Sequence, residues 1–150
     1  MNAAVRFAAA YAALTASHKF ADHWIQVDAQ ATAKGDPGTA GRLACASHIA
    51  TYTVTQGLAL LAADRLLGLR LSPGRTAAAL AVSAGTHYAA DRQAGHWRDE
   101  APRGVARLAT ATGHASWLQR DPNSPYLLDQ AWHEGWIFIA ALVAAGRGTG

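Results

Sequence analysis

Three segments set a histidine and an aspartate four residues apart: HKFAD at His18–Asp22, HYAAD at His87–Asp91 and DQAWH at Asp129–His133. Each lies among alanine, leucine and other helix formers, so each pair falls on one helix face, one turn apart. A fourth histidine, His48, stands in the apolar span LACASHIATYTVTQGLALLAA, Leu43–Ala63. Carboxylates on helices this apolar cannot face a hydrocarbon core unpaired, because a lone buried charge is too unfavourable. The fold that resolves this conflict brings the polar pairs together. It is an all-α, compact bundle of four to five helices with a polar His/Asp centre.

Glycine and proline punctuation divides the chain accordingly. Helices are expected over Ala3–Lys34, ended by GDPG at Gly35–Gly38, and over Thr39–Leu69, Arg75–Gln93, Val105–Leu118 and Tyr126–Ala145. LSPGR at Leu71–Arg75 reads as a turn or a helix start. AGHWRDEAPRG at Ala94–Gly104 reads as a polar loop able to cover the bundle, and RDPNSP at Arg120–Pro125 as a break. TYTVT at Thr51–Thr55 is the one β-branched run, and its helix-forming surroundings make it helical. The length of 150 residues suits a single domain over 1–150, with 146–150 a frayed tail.

Hydrophobic residues make up 51% of the chain and charged residues only 15%, low for a soluble domain. A net charge of +3 gives no strong nucleic-acid signal but suits contact with a small anionic molecule or a membrane surface. One cysteine, Cys45, excludes an internal disulfide and reads as a small buried residue. The N-terminal run leads straight into the His/Asp stretch, so treating it as a signal peptide would cut into the motif. Leu43–Ala63 is long enough to span a membrane, yet carries His48, Gln56 and several hydroxyls. A cytoplasmic, alanine-rich bundle is favoured slightly, and a membrane-associated one is the alternative.

The candidate metal ligands are His18, Asp22, His48, His87, Asp91, Asp129 and His133. Seven donors exceed the needs of one ion with an open position. They suit two ions, or one ion with charged groups around it. Mixed imidazole and carboxylate donors favour Zn, Mn or Fe, with Mg the least favoured. Two ions point to hydrolysis by two-metal water activation. Arg92, Arg98, Arg103 and Arg107, near the covering loop, favour a small phosphoester or nucleotide-like substrate. Asp22 and Asp91 are candidate proton acceptors, and Gln26 is a candidate to hold a water or substrate oxygen. The chain lacks H-E-x-x-H, G-x-S-x-G and P-loop motifs, which weakens the protease, serine-hydrolase and NTPase classes. Two alternatives stand beside the hydrolase. One is a buried His–Asp network without metal. The other is a non-enzymatic, metal-stabilised phage or membrane-associated interaction protein. His23, His96 and His114 are expected to be structural or exposed, Glu134 to face solvent, and Trp132 and Trp136 to pack between helices.

In order and spacing these segments resemble the uncharacterised bacterial and phage family known as domain-of-unknown-function family 3307. The matching residues are HKFADHWIQ (His18–Gln26), His48 of CASHIATYT, HYAADR (His87–Arg92) and LLDQAWH (Leu127–His133), within residues 14–140. His23 stands where the family tends to carry an aromatic residue, and Arg92 where a lysine is common. Many longer members look like inner-membrane proteins, and the family looks distantly similar to membrane-associated proteins described as metal-dependent hydrolases. Short copies look like phage proteins. The resemblance implies a phage or prophage origin and no defined activity.

Overall fold

The computed structural model describes residues 2–146, so residues 147–150 of the expected frayed tail lie outside the described residues. The helices are α1 (Ala3–Phe20), α2 (Asp28–Ala33), α3 (Gly38–Leu67), α4 (Pro73–Asp91), α5 (Gly104–Ala109), α6 (Ala115–Arg120) and α7 (Ser124–Ala145). No strand occurs among the described residues. The four long helices form a ring in which α1 and α4 each pack against both α3 and α7. Ring neighbours run antiparallel. Arg6, near the start of α1, donates to the carbonyl of Ala145 at the end of α7 (2.9 Å), and Gln56 of α3 donates to the Leu14 carbonyl of α1 (3.3 Å).

Local chemistry sets the helix ends. The Asn2 side chain accepts from the Val5 N–H (2.9 Å) and caps α1. Gly68, at φ 61°, stops α3 in the left-handed conformation, and Pro73 opens α4. The TYTVT run is helical within α3, where the Thr53 and Thr55 hydroxyls donate to carbonyls one turn back at 2.7 and 2.8 Å.

The two halves of the bundle have different interiors. One half is an apolar layer of Ala10, Leu14, Leu60, Ala79, Ile137, Ala140, Ala141 and Ala144, whose small side chains let the helices approach closely. In the other half the same inward stripes carry polar groups. On α3 the buried residues Gly41, Cys45, His48, Tyr52, Gln56 and Leu60 follow one helical face. The outward face of α3 exposes Leu43, Val54, Leu58 and Leu61 instead. No helix among the described residues is long and apolar enough to cross a membrane, so the Leu43–Ala63 candidate span fails that test.

Two expected helices are interrupted. The stretch expected to be continuous from Ala3 to Lys34 ends as α1, makes a π turn at Ala21–Ile25, becomes extended at Gln26 (φ −62°, ψ 124°), and resumes as α2. The Gln26 N–H reaches back to the Ala21 carbonyl at 2.8 Å, which inserts one extra residue into the turn. Gln26 therefore does not stand one helical turn beyond Asp22 on a shared face. The stretch expected over Val105–Leu118 breaks through a second π turn, Thr110–His114, where Gly113 adopts φ 95° and separates α5 from α6. The remaining helix bounds differ from expectation by no more than two residues. Residues 92–103 form the expected loop. Its Trp97 packs with Ala90, Val105, Ala106, Ala109 and Leu118 in a second hydrophobic core.

Candidate metal centre

Because ring neighbours are antiparallel, the ends of α1 and α4 lie level with the early turns of α3 and α7. His18, His48, His87 and His133, one from each long helix, meet at that level, all of them buried. The His87 and His133 rings stack with centroids 4.0 Å apart, and the His18–His133 and His48–His87 centroids are each 5.2 Å apart.

Two imidazole nitrogens and two carboxylate oxygens lie close together at that level. Nε2 of His48 and Nε2 of His87 are 3.2 Å apart. Oδ1 of Asp22 lies 3.4 Å from the first and 3.6 Å from the second. Oδ2 of Asp91 lies 3.5 and 3.4 Å from the same two atoms. Donors bound tetrahedrally at about 2.0–2.1 Å from an ion stand about 3.3–3.4 Å from one another. The five separations, from 3.2 to 3.6 Å, bracket that value. Oδ1 of Asp22 and Oδ2 of Asp91 are also buried without a hydrogen-bond partner, an arrangement that a cation relieves. The donor set fits a divalent cation.

Two further groups of possible ligands overlap this one. Asp91, Asp129 and His133 bring ligand atoms within 4.8 Å of one another, as do His18, Asp22 and His87. Within them, Nε2 of His133 is 3.2 Å from Oδ2 of Asp129, and Nδ1 of His18 is 3.4 Å from Oδ2 of Asp22. All seven residues singled out in the sequence thus belong to one contiguous cluster, with His87 and Asp91 each common to two of the groups.

Electrostatics reflect burial and crowding. Burial holds the His18 imidazole neutral down to about pH 4, a tendency the neighbouring Asp22 carboxylate opposes. Burial likewise lowers His87. For His133 burial also favours the neutral ring, but Asp129 outweighs it and raises the group. Burial alone would raise Asp22, yet the nearby His48 and the other surrounding imidazoles bring it down to about 2. Asp91 is likewise driven below the usual carboxylate range, against burial, by His87 and Lys34.

Neighbouring groups position these side chains. Nδ1 of His48 and of His87 are buried without an acceptor, so packing orients the rings. The Tyr52 ring lies 4.1 Å from that of His87 between centroids, and its hydroxyl shares a hydrogen bond with Ser83 (2.8 Å). Nζ of Lys34 donates to Oδ1 of Asp91 at 2.8 Å. Arg92 holds the Lys34 turn in place by donating to the carbonyls of Lys34 and Asp36. A cavity of about 180 Å³, lined by Lys34, Asp91, Ala94, Trp97, Tyr126 and Asp129, borders the Asp91–Asp129 edge of the cluster.

Other candidate residues fall outside the cluster. Gln26 has a buried Nε2 without a hydrogen-bond partner. His23 is exposed. His96 pairs with Asp99 (2.9 Å) and the Gly35 carbonyl (3.2 Å), and His114 faces the Ala109 carbonyl (3.2 Å). Glu134 is at the surface, 3.2 Å from Lys19. Trp132 lies against Trp136 with ring centroids 5.6 Å apart and donates to the Thr86 carbonyl (3.0 Å), tying α7 to α4. Cys45 is buried, and burial pushes its thiol up to about 12. Of the four arginines, Arg92 and Arg98 are spent on backbone carbonyls, while Arg103 and Arg107 are exposed.

Sequence reasoning missed Lys34, Tyr52, Ser83 and Gln56. Tyr52 and Gln56 follow His48 at four-residue intervals and Ser83 precedes His87 by four, so helical spacing carried their signal. Lys34 lies beyond α2, and no local pattern marks it.

Comparison with protein-family models, with curated proteins and with solved structures finds no match to this chain.

Proposed function

We propose that this protein is a divalent-metal-dependent hydrolase acting on a small phosphoester. In this reading Asp22, His48, His87 and Asp91 hold one ion, and Asp129, His133 and His18 are placed to serve a second. The observation that carries it is the set of 3.2–3.6 Å separations between the paired His48 and His87 nitrogens and two buried carboxylate oxygens that have no hydrogen-bond partner. Imidazole and carboxylate donors select Zn, Mn or Fe before Mg. When bound, such an ion supplies Lewis acidity and a water of lowered pKa.

The chain's own residues define the rest of the chemistry. Asp22 and Asp91 hold charge at the centre. Asp129, 22% exposed and lining the bordering cavity, is the carboxylate placed to take a proton from an incoming water. Lys34, at the same cavity, offers an ammonium to an anionic substrate oxygen. The reading keeps the resemblance to family 3307, which rests on the order and spacing of the four segments in the sequence.

One observation favours a second reading, a metal-stabilised protein that works by interaction at a membrane or partner. Large apolar side chains lie open on several helices, among them Trp24 at 79% and Leu66 at 84% exposure.

The test is metal content by mass spectrometry on protein purified without a metal-binding tag, followed by a phosphoester screen. Wild type is expected to carry one to two equivalents of Zn, Mn or Fe, and His48→Ala with His87→Ala to carry none. Asp129→Asn is expected to keep the tightly held ion and to lose at least about 100-fold in kcat. Metal without hydrolysis of any phosphoester would favour the interaction protein. A metal-free wild type would overturn both readings.

A further inference from the structure

Beside Trp97 the second hydrophobic core opens to the surface in an apolar groove of about 320 Å³, walled by Val105, Leu108, Ala109, Leu128 and Trp132. A groove of this size is in the range of small-molecule sites.

Its position gives it a use. Trp97, only 6% exposed, also lines the cavity that reaches Asp91, Asp129 and Lys34. The first turns of α7 serve both spaces: Tyr126 and Asp129 line the polar one, Leu128, Ala131 and Trp132 the apolar one. The two cavities thus adjoin across one indole, with Lys34, Asp91 and Asp129 on one side and a hydrocarbon-like lining on the other.

We propose that the apolar groove binds the non-reacting part of the substrate, so that the substrate is an amphiphilic phosphoester. Its anionic group lies beside Lys34 at the His/Asp centre, and its hydrocarbon or aromatic body lies beyond Trp97 in the apolar groove. The head-group half of this proposal rests on the hydrolase reading; the apolar site itself does not. Lys34 offsets part of the charge of Asp91 and Asp129 that would otherwise repel an anion at the mouth.

The test is calorimetric titration of metal-loaded protein with decyl phosphate and with inorganic phosphate, and of metal-free protein with 1-decanol, all below micelle-forming concentrations. Each methylene buried contributes about a fourfold gain in affinity, so decyl phosphate is expected to bind at least about 50-fold more tightly than phosphate. A negative heat-capacity change should accompany it. Ala131→Phe fills the groove from its rim, because Ala131 lines it on an exposed position of α7. This variant should lose the decyl advantage and the decanol binding while keeping metal content and phosphate affinity. Equal affinity for decyl phosphate and phosphate would overturn the proposal, as would a decyl advantage unchanged by Ala131→Phe. Decanol binding that Ala131→Phe abolishes, together with no phosphate binding, would uphold the apolar site and overturn the hydrolase reading.

Discussion

Nε2 of His48 and Nε2 of His87 face each other at 3.2 Å, although they belong to different helices and neither ring has an acceptor at Nδ1. At most one hydrogen can occupy the space between them, and the two nearest carboxylate oxygens contribute none when ionised. Four electron-rich atoms crowded in this way repel one another unless imidazole protons or a cation come between them. The helix pair α3 and α4, together with Asp22 of the π turn, thus meets where a cation would be favourable.

Metal should accordingly stabilise the fold. At free ion concentrations near 1,000 times Kd, binding adds about 4 kcal/mol. For a domain of this size that raises Tm by about 8–16 °C. Thermal melts of chelator-treated protein with and without Zn or Mn check this. The rise should vanish in His87→Ala, and an unchanged Tm in wild type would remove the metal from the account.

Lys34, half-buried, pairs with the buried Asp91 carboxylate at 2.8 Å. Lys34→Met leaves the Asp91 charge without its ammonium. Metal-free protein is then expected to lose about 3 kcal/mol of stability. The metal-loaded protein should lose less, because the ion also neutralises Asp91. Chemical denaturation of both forms measures the difference, and equal losses would mean that Lys34 and the ion do not share the carboxylate.

Acid should unfold the metal-free protein in two stages. Burial lowers His18 from 6.5 to about 4 and lowers His87 as well, so the unfolded chain binds more protons than the folded one in that window. Their contribution is present above pH 6.5 and is lost as pH falls toward 4, on the order of 3 kcal/mol for His18. His133, which is raised, acts in the opposite sense. Asp22, lowered from 3.8 to about 2, contributes above pH 3.8 and loses that contribution as pH falls through 2. The expected readout is a Tm that falls from pH 7 to pH 4 and a shallower slope in His18→Asn. A Tm independent of pH over that range would refute it.

Gly35 should prove intolerant of a side chain. A Cβ there would stand 1.9 Å from the Ala94 carbonyl oxygen, where the turn after α2 meets the loop that carries Trp97. Gly35→Ala is expected to destabilise by about 1–3 kcal/mol. It should also change the fluorescence of the tryptophans as the loop shifts; a variant with wild-type melting and emission would show that the loop yields at no cost.

The helical class and the seven clustered residues could be read along the chain because both depend on spacing. Imidazole and carboxylate at four-residue intervals in alanine-rich segments imply helices and a shared face whatever the tertiary arrangement. The helix interruptions were less legible. Nothing in ADHWI, Ala21–Ile25, breaks a helix by composition, yet a π turn forms there. Gly113 was visible as a weak helix former, but its left-handed φ was not.

Composition and periodicity, local properties carried by the residues themselves, determined that this chain makes helices with polar inward stripes. The tertiary structure alone decided which donors face one another. Antiparallel packing puts the ends of α1 and α4 level with the early turns of α3 and α7. Residues as distant as Lys34 and Asp91, or Asp22 and His87, thereby come within 4 Å. It also decided that Trp97 would separate a polar cavity from an apolar one, since both spaces are left by how loop and helices fit together and no single segment encodes them.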